Sequence, residues 1–583
     1  STDRLNKDET PRRHDVPKLS SLHWISGYSK STLGDDSMAA LIVTIMLIPQ
    51  SMAYALLAGL PPEVGLYASI LPLFAYAVFG SSMTLAVGPV AVISLMTAAA
   101  VSQVADPGTP EYLGAAILLS LLSGLMLIGL GLARAGFLAN LLSHPVISGF
   151  ITASAILIAF SQLKHVLGIP VQGHDLPSIL ADLISHLQDT NRPTLIIGIL
   201  SVAFLFWVRS GLKPLLTRLG TSAVLADIVT KTGPVLAVIV TTALVSLFAL
   251  DQSGVAIVGE IPAGLPAPNL PAIDYSLARE LVPAAFLISL VGFVESVSVG
   301  HTLAARRRER LRPNQELIGL GAANLASGLG GGFPVTGGFS RSVVNFDAGA
   351  KTPMAGVFTA LMIGLTALYL TPLFEYLPKA VLAATVIVAV LSLVDVAAIK
   401  RVWIFSKSDF VAMVTTIVVV LGIGVEAGIV AGILVSIGSL LAKIARPHFA
   451  VIGQIPGTQH YRNRNRHEVL QSEKVLAVRL DEMLYFLNGH TFEDAVGELI
   501  AENSALTDLV LLCHGISEID ASGLEVLESI NARLDSLGIR FHLSEVKGPV
   551  MDRLNRVGFK DHLTGQIFLS HHEAMQTLDP KND

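Results

Sequence analysis

Apolar residues come in long blocks along the first three quarters of this chain. The blocks fall near 37–57, 63–80, 88–102, 112–132, 143–166, 193–209, 234–250, 281–300, 316–329, 338–346, 353–372, 378–394, 409–424 and 426–444. About twenty apolar residues carry a helix across the hydrocarbon of a bilayer. The pattern therefore predicts a polytopic α-helical membrane protein with fourteen spans. Two blocks are too short to cross alone, the one after Gly88-Pro89 and the one after Gly337-Gly338. Beyond Ala445-Arg446-Pro447 the pattern changes to short alternating elements. Residues 475–480, 509–513 and 539–543 read as strands, and 492–501 and 522–535 as helices. The 509–513 strand is nearly all apolar, as a strand buried on both faces should be. Strand–helix alternation predicts a small α/β domain. The expected organisation is a polar segment 1–33, a transmembrane domain 34–446, a soluble domain 447–578 and a tail 579–583.

Composition agrees with the blocks. Of 583 residues, 52% are hydrophobic and only 14% charged, against roughly a quarter charged in soluble chains. Mean hydropathy is +0.63. A net charge of −6 points to neither a nucleic-acid nor a polyanion binder. Cys513 is the only cysteine, which excludes a disulfide framework and a thiolate metal site. The polar N-terminal segment, with Arg12, Arg13 and His14, lacks the pattern of a signal peptide, so the first apolar block reads as the first span.

Charge in the loops orients the spans. Alternate loops hold Arg134; Arg209, Lys213, Arg218 and Lys231; Arg306, Arg307, Arg308, Arg310 and Arg312; Lys351; and Lys400, Arg401 and Lys407. The opposite loops hold only Arg192, Arg279 and Lys379. The positive-inside rule then puts the N-terminus and the soluble domain in the cytoplasm, and the lack of a disulfide framework fits a bacterial inner membrane. The five-arginine cluster is read as topology, not as a nucleic-acid patch.

The candidate chemistry sits in the interrupted blocks. The first span carries Gln50 and Tyr54, and the eighth carries Glu295. Each is followed, two spans later, by a glycine-marked short segment: Val90 and Ala91 head the third, and Phe339, Ser340 and Arg341 head the tenth. Short Gly/Pro-interrupted segments at corresponding places mark transporter binding sites. A helix that starts in mid-membrane presents unpaired N–H groups and the positive end of its dipole. Two such ends facing each other make an anion site. Arg341 adds a planar fork suited to oxyanions. In lipid it would cost about 2.5–3.5 kcal/mol, so it should face a cavity or a partner. The "GLGGGF" run at 328–333 lacks the strand, lysine and helix context of a phosphate loop.

Several segments resemble one family. "PPEVGLYASILPLFAYAVFGSS" (61–82), "GPVAVISLM" (88–96) and "FSRSVVN" (339–345) resemble the SulP anion transporters, the sulfate permease family related to pendrin and prestin. "EIDASGLEVL" (518–527) is similar to the STAS domain of anti-sigma-factor antagonists. The resemblance implies a seven-plus-seven inverted repeat of the uracil-permease type with core and gate domains, usually a homodimer. It implies that substrate binds between the third and tenth spans, at Gln50, Tyr54, Val90, Ala91, Phe339, Ser340 and Arg341, with Glu295 for ion coupling. Ser522 stands where STAS relatives are phosphorylated; one flanking serine is replaced by Ala521, and Ser522 reads equally as a helix N-cap.

These readings lead to a secondary active transporter of a small anion, first of all sulfate by proton symport. The alternatives are a sodium-coupled bicarbonate carrier, a dicarboxylate carrier, an uncoupled exchanger or channel, and a membrane sensor with the STAS domain as its output. An intramembrane carboxylate favours coupled transport over a channel. No catalytic group, cofactor, metal site or nucleic-acid partner is expected. A cytosolic protein partner for the STAS domain is.

Overall fold

The structure, a computed structural model, describes residues 22–140, 142–267 and 274–580. Arg12, Arg13 and His14, with most of the expected N-terminal segment, lie outside the described residues, as does the end of the expected tail. The chain divides into two compact units, 1–436 and 437–583.

The first unit is helical. It begins with α1 (Lys30–Leu57), α2 (Pro62–Tyr67), α3 (Leu71–Phe79), the two-residue strand β1 (Val87–Gly88), α4 (Ala91–Val101), α5 (Pro110–Leu132) and α6 (His144–Leu167). It continues through α7 (Leu176–Ser185), α8 (Arg192–Trp207), α9 (Lys213–Arg218) and α10 (Ala223–Leu247). Then come α11 (Tyr275–Arg306), α12 (Pro313–Leu329), the strand β2 (Thr336–Gly337) and α13 (Phe339–Asp347). The rest is α14 (Met354–Leu365), α15 (Lys379–Leu391), α16 (Val396–Phe405), α17 (Lys407–Gly422) and α18 (Val425–Ala445).

Each of the fourteen apolar blocks is helical. Ten helical stretches among the described residues are long and apolar enough to cross a membrane. The other four blocks form α4, α12, α13 and α17, with 11, 17, 9 and 16 residues. So α12 and α17 fall short of a crossing by length, besides the two short helices expected. Where helices carry polar ends, the apolar pattern understates them. α10 starts at Ala223, well before its block, because its first turns carry Asp227 and Lys231, joined at 2.7 Å. Lys400 and Arg401, expected in a loop, lie on α16, which Asp395 caps by accepting from Ala398 N at 2.8 Å.

Helix contacts in this unit use small residues, as membrane helices do. α5 and α12 approach until a Cβ on Gly124 would lie 2.8 Å from the Gly321 carbonyl oxygen.

The second unit is an α/β domain. Its strands are β3 (Phe449–Gln454), β4 (Tyr461–Asn463), β5 (Val475–Leu480), β6 (Asp508–Leu512), β7 (Arg540–Ser544) and β8 (Ile567–Phe568). Its helices are α19 (Gly489–Glu502), α20 (Ala521–Ser536), α21 (Gly548–Arg556), α22 (Phe559–His562) and α23 (His571–Leu578). The sheet order is β4-β3-β5-β6-β7-β8, parallel from β5 to β8 and antiparallel at β3 and β4. All five residues of the central β6 are buried, which explains its nearly unbroken apolar run. Leu509 and Leu511 join the core under α19 and α20, and Val510 faces Phe568 and Ala574 on the other side.

Candidate functional site

The two-residue strands β1 and β2 bring the two short helices together. Val87 pairs with Gly337 and Gly88 with Thr336 in an antiparallel register. α4 and α13 begin just beyond this pairing, so both helix N-termini open beside it. Val90 and Gly338 hold extended backbone at the cap positions, and no side chain caps either helix. The first-turn amides of an α-helix have no intrahelical acceptor, so two sets of N–H groups and two positive dipole ends meet there.

Arg341 stands in the first turn of α13, 2% exposed. Its Nη2 donates to the Pro89 carbonyl, and its Nη1 has no partner. A Cβ on Gly88 would occupy the place of Nη1. Glycine at 88 is therefore required by the close approach of the guanidinium. Arg341 also interacts electrostatically with Tyr54 and Glu295.

α1 contributes the neutral polar groups. Pro49 lies inside this helix and withdraws one backbone N–H immediately before Gln50. Gln50 Nε2 donates to Tyr54 Oη at 2.9 Å, while Gln50 Oε1 is buried without a partner. Val90 and Ala91 are buried at the head of α4, whereas Phe339 is half-exposed and Ser340 exposed. Glu295 on α11 is partly buried in an apolar cavity with Val92, Phe150, Val291, Val294 and Ile429. Among the described residues it forms no hydrogen bond and no ion pair, and it lies beyond 4.0 Å from the Arg341 guanidinium. α1 and α11 each touch both α4 and α13, and Gln50, Tyr54, Glu295 and Arg341 come together at that junction.

The frame around this junction was not legible as a site. Gly337 N donates to Ser296 Oγ at 2.9 Å, and Thr336 Oγ1 donates to the Gly292 carbonyl at 2.7 Å. The single Thr336 proton being used, Ser296 donates to Thr336 Oγ1 at 2.8 Å. Asn324 on α12 grips Val335 from both sides, accepting from its N–H at 3.0 Å and donating to its carbonyl at 2.9 Å. The connector before α4 is held from α13: Ala86 N donates to Ser342 Oγ at 2.9 Å, and Asn345 Nδ2 donates to the Thr84 carbonyl at 3.0 Å. Its start is held from α12. There Glu316, fully buried, accepts from Tyr76 Oη at 2.7 Å, from Ser81 Oγ at 2.6 Å and from Ser81 N at 3.3 Å. Polar residues inside apolar blocks were the available signal for Asn324 and Glu316.

In the second unit, Ser522 is half-buried in the first turn of α20. It is not the cap. Asp520 is, accepting from Gly523 N at 2.8 Å, because its side chain stands one turn before the orphan amides it must reach.

Comparison with known proteins follows this architecture. The model of the sulfate permease family matches residues 33–416, and that of the STAS domain matches 466–574. The chloroplastic sulfate transporter 4.1 of Arabidopsis thaliana is 35% identical over 568 residues, covering 95% of this chain and 81% of that protein. The chain belongs to the sulfate permease family. A probable sulfate transporter of Mycobacterium tuberculosis is 33% identical to this permease over 572 residues, covering 97% and 99% of the two chains. Among solved structures, the murine Solute Carrier 26 member A9 anion transporter in its inward-facing state aligns with a TM-score of 0.86 and 26% identity, over 96% of this chain and 93% of that one. The transmembrane domain of a cyanobacterial bicarbonate transporter aligns at 0.58 and 22% identity, over 71% and 98%, which shows the shared fold alone. The permease is thus a multi-pass membrane transporter with a C-terminal STAS domain, and not an enzyme.

Proposed function

We propose that this permease carries sulfate across the membrane by alternating access, with the anion held between the N-termini of α4 and α13. The observation that carries the proposal is the buried Arg341 guanidinium, whose Nη1 has no partner, at the junction of two uncapped helix starts. A dianion there would gain charge-assisted hydrogen bonds from Arg341 and backbone amides. Gln50 and Tyr54 would line one side and Ser340 the other, with Val90, Ala91 and Phe339 shaping the space. The relatives named as sulfate transporters support sulfate as the first substrate to test.

Proton symport is the coupling we infer, because Glu295 is a carboxylate without a partner within electrostatic reach of Arg341. A homodimer, a protein partner for the STAS domain, phosphorylation at Ser522, cytoplasmic termini and a bacterial inner membrane are supported by the family resemblance and the loop charges alone.

The direct test is sulfate binding and uptake by Arg341→Ala in proteoliposomes. Losing a charge-assisted hydrogen bond costs about 1.5–3 kcal/mol, so affinity should fall roughly tenfold to hundredfold while the protein still folds. Unchanged uptake would remove Arg341 from the site. Uptake of sulfate, bicarbonate, fumarate and chloride, compared at several pH values with and without sodium, separates the substrate from the coupling ion.

A further inference from the structure

A furrow of about 710 Å³ runs between α8 and α10, away from the junction described above. Pro193, Ile197, Leu200 and Phe204 form one wall, and Leu244 and Phe248 belong to the other. Among the described residues no charged side chain lines it. Of its two hydroxyls, Thr241 donates to the Ala237 carbonyl at 2.7 Å, and Ser201 Oγ is buried without a partner. Water has few polar partners there to hold it.

Three features identify what fills this space. The first is position: only 28% of the most apolar stretch of each helix is buried, against 67% for α1 and α11, so these faces meet hydrocarbon. The second is length. From Pro193 to Phe204 a helix rises about 16 Å at 1.5 Å per residue, close to half of the ~30 Å hydrocarbon layer. The furrow is therefore as deep as one leaflet. The third is charge. At the end where Asn191 Nδ2 donates to the Ser253 carbonyl at 3.0 Å, Arg192 stands exposed as the first residue of α8. Arg192 has no hydrogen bond or ion pair among the described residues. Asp189 and Asp251 share this end without coming within 4.0 Å of its guanidinium.

We propose that the α8–α10 furrow is a phospholipid site, with one acyl chain along the two helices and the phosphate on Arg192. The positive end of the α8 dipole adds to the attraction for the headgroup. One arginine near an anionic headgroup favours it about fivefold over a zwitterionic one. The acyl chain fills apolar space that no described side chain of the permease reaches, on helices whose most apolar stretches are only 28% buried.

The test reconstitutes the full chain in vesicles of equal phosphatidylglycerol and phosphatidylcholine, releases it in mild detergent and weighs it by native mass spectrometry. The wild type should retain phosphatidylglycerol over phosphatidylcholine by about fivefold. Arg192→Gln should keep a bound lipid and lose the preference. Ala237→Phe, which fills the floor of the furrow, should lose the lipid. Lipid retention identical to wild type in both variants would overturn the proposal. So would a dimer that falls apart in Ala237→Phe while lipid retention stays the same, since a second copy would then be the occupant. Should Ala237→Phe fail to fold, the loss or persistence of headgroup preference in Arg192→Gln decides alone.

Discussion

Glu316 on α12 and Glu295 on α11 are both carboxylates inside the membrane unit, and their surroundings are opposite. Glu316 is fully buried and receives three hydrogen bonds from Tyr76 and Ser81. Asp36, also fully buried, is held in the same way by the Lys351 and Thr352 amides at 2.7 and 3.1 Å. Glu295 has nothing of the kind, and the nearby Arg341 spends one half of its fork on a backbone carbonyl and none of it on Glu295. A buried charge whose hydrogen-bonding capacity is filled by its own protein holds elements together. One left open in a cavity is available to something that comes and goes. The difference separates frame from candidate site without reference to any relative.

The sharpest break of this comparison is at Glu316. Replacing it with leucine would leave the Tyr76 hydroxyl and the Ser81 N–H buried and unpaired, while Ser81 Oγ keeps the Arg312 carbonyl at 3.5 Å. At about 1–3 kcal/mol for each of these two buried unsatisfied groups, the expected loss is about 2–6 kcal/mol, read as a lowered unfolding transition of the purified protein. The connector 80–86 should also exchange its amide hydrogens faster. Full stability in the leucine variant would mean that the cluster does not hold the connector, and the contrast with Glu295 would lose its basis.

The STAS domain offers the same contrast between two buried histidines, outside the membrane. His542 uses both ring nitrogens: Nδ1 accepts from Gln566 N at 3.0 Å, so Nε2 carries the proton and donates to Asp508 Oδ1 at 2.8 Å. His571 binds Ser544 Oγ at 2.8 Å through Nδ1, and its Nε2 is buried without a partner. Burial, helped by the neighbouring His572, pushes the His571 pKa down to about 4. Burial also lowers that of His542, with Asp508 pulling the other way. In the unfolded chain a histidine titrates near 6.5. Between the two values the unfolded state binds the proton and the folded state does not, so stability falls as pH drops. The slope is at most about 1.4 kcal/mol per pH unit for one group, or on the order of 3 kcal/mol from pH 6.5 to 4. Denaturant unfolding of the domain at pH 7 and pH 5 measures this, and His571→Phe should flatten it. A slope unchanged by that substitution would assign the acid sensitivity elsewhere.

These contrasts also explain what could be read from the sequence. Apolar periodicity is a strong signal over twenty residues, which is why every block became a helix and why β6 was visible from its unbroken apolar run. Glycine and proline marked the two helix starts because close approach leaves no alternative at Gly88, where a side chain would displace the Arg341 guanidinium. The resemblance of 61–82, 88–96 and 339–345 to a known family added the roles of Gln50 and Tyr54, which spacing alone left open. What stayed hidden was pairing across distance. Nothing in the sequence says that Tyr76 bonds Glu316, that Asn345 reaches Thr84 or that β1 pairs with β2, since these contacts join the two halves of the unit. Short elements hid as well. α16 was masked by its charges, and Asp520 took the cap position because hydrogen-bond geometry, not residue preference, separates it from Ser522.

The smallest expected change in stability carries the most information about coupling. Glu295→Gln removes a charge and breaks no hydrogen bond, so stability should move less than in the Glu316 or His571 variants. If Glu295 is the proton site, its charge state must be linked to the anion. A dianion beside Arg341 repels the Glu295 carboxylate and takes up the arginine's attraction, so anion binding favours a proton on Glu295, and a proton there favours the anion by the same factor. Sulfate uptake should then be faster at acid external pH. The glutamine variant imitates the protonated state permanently. It should keep anion binding, lose most of the pH dependence and fail to concentrate sulfate, while still exchanging labelled for unlabelled sulfate across the vesicle. Uptake that follows sodium and ignores pH, in the wild type and in the glutamine variant alike, would assign the driving ion elsewhere and leave Glu295 as an unpaired carboxylate without a coupling role.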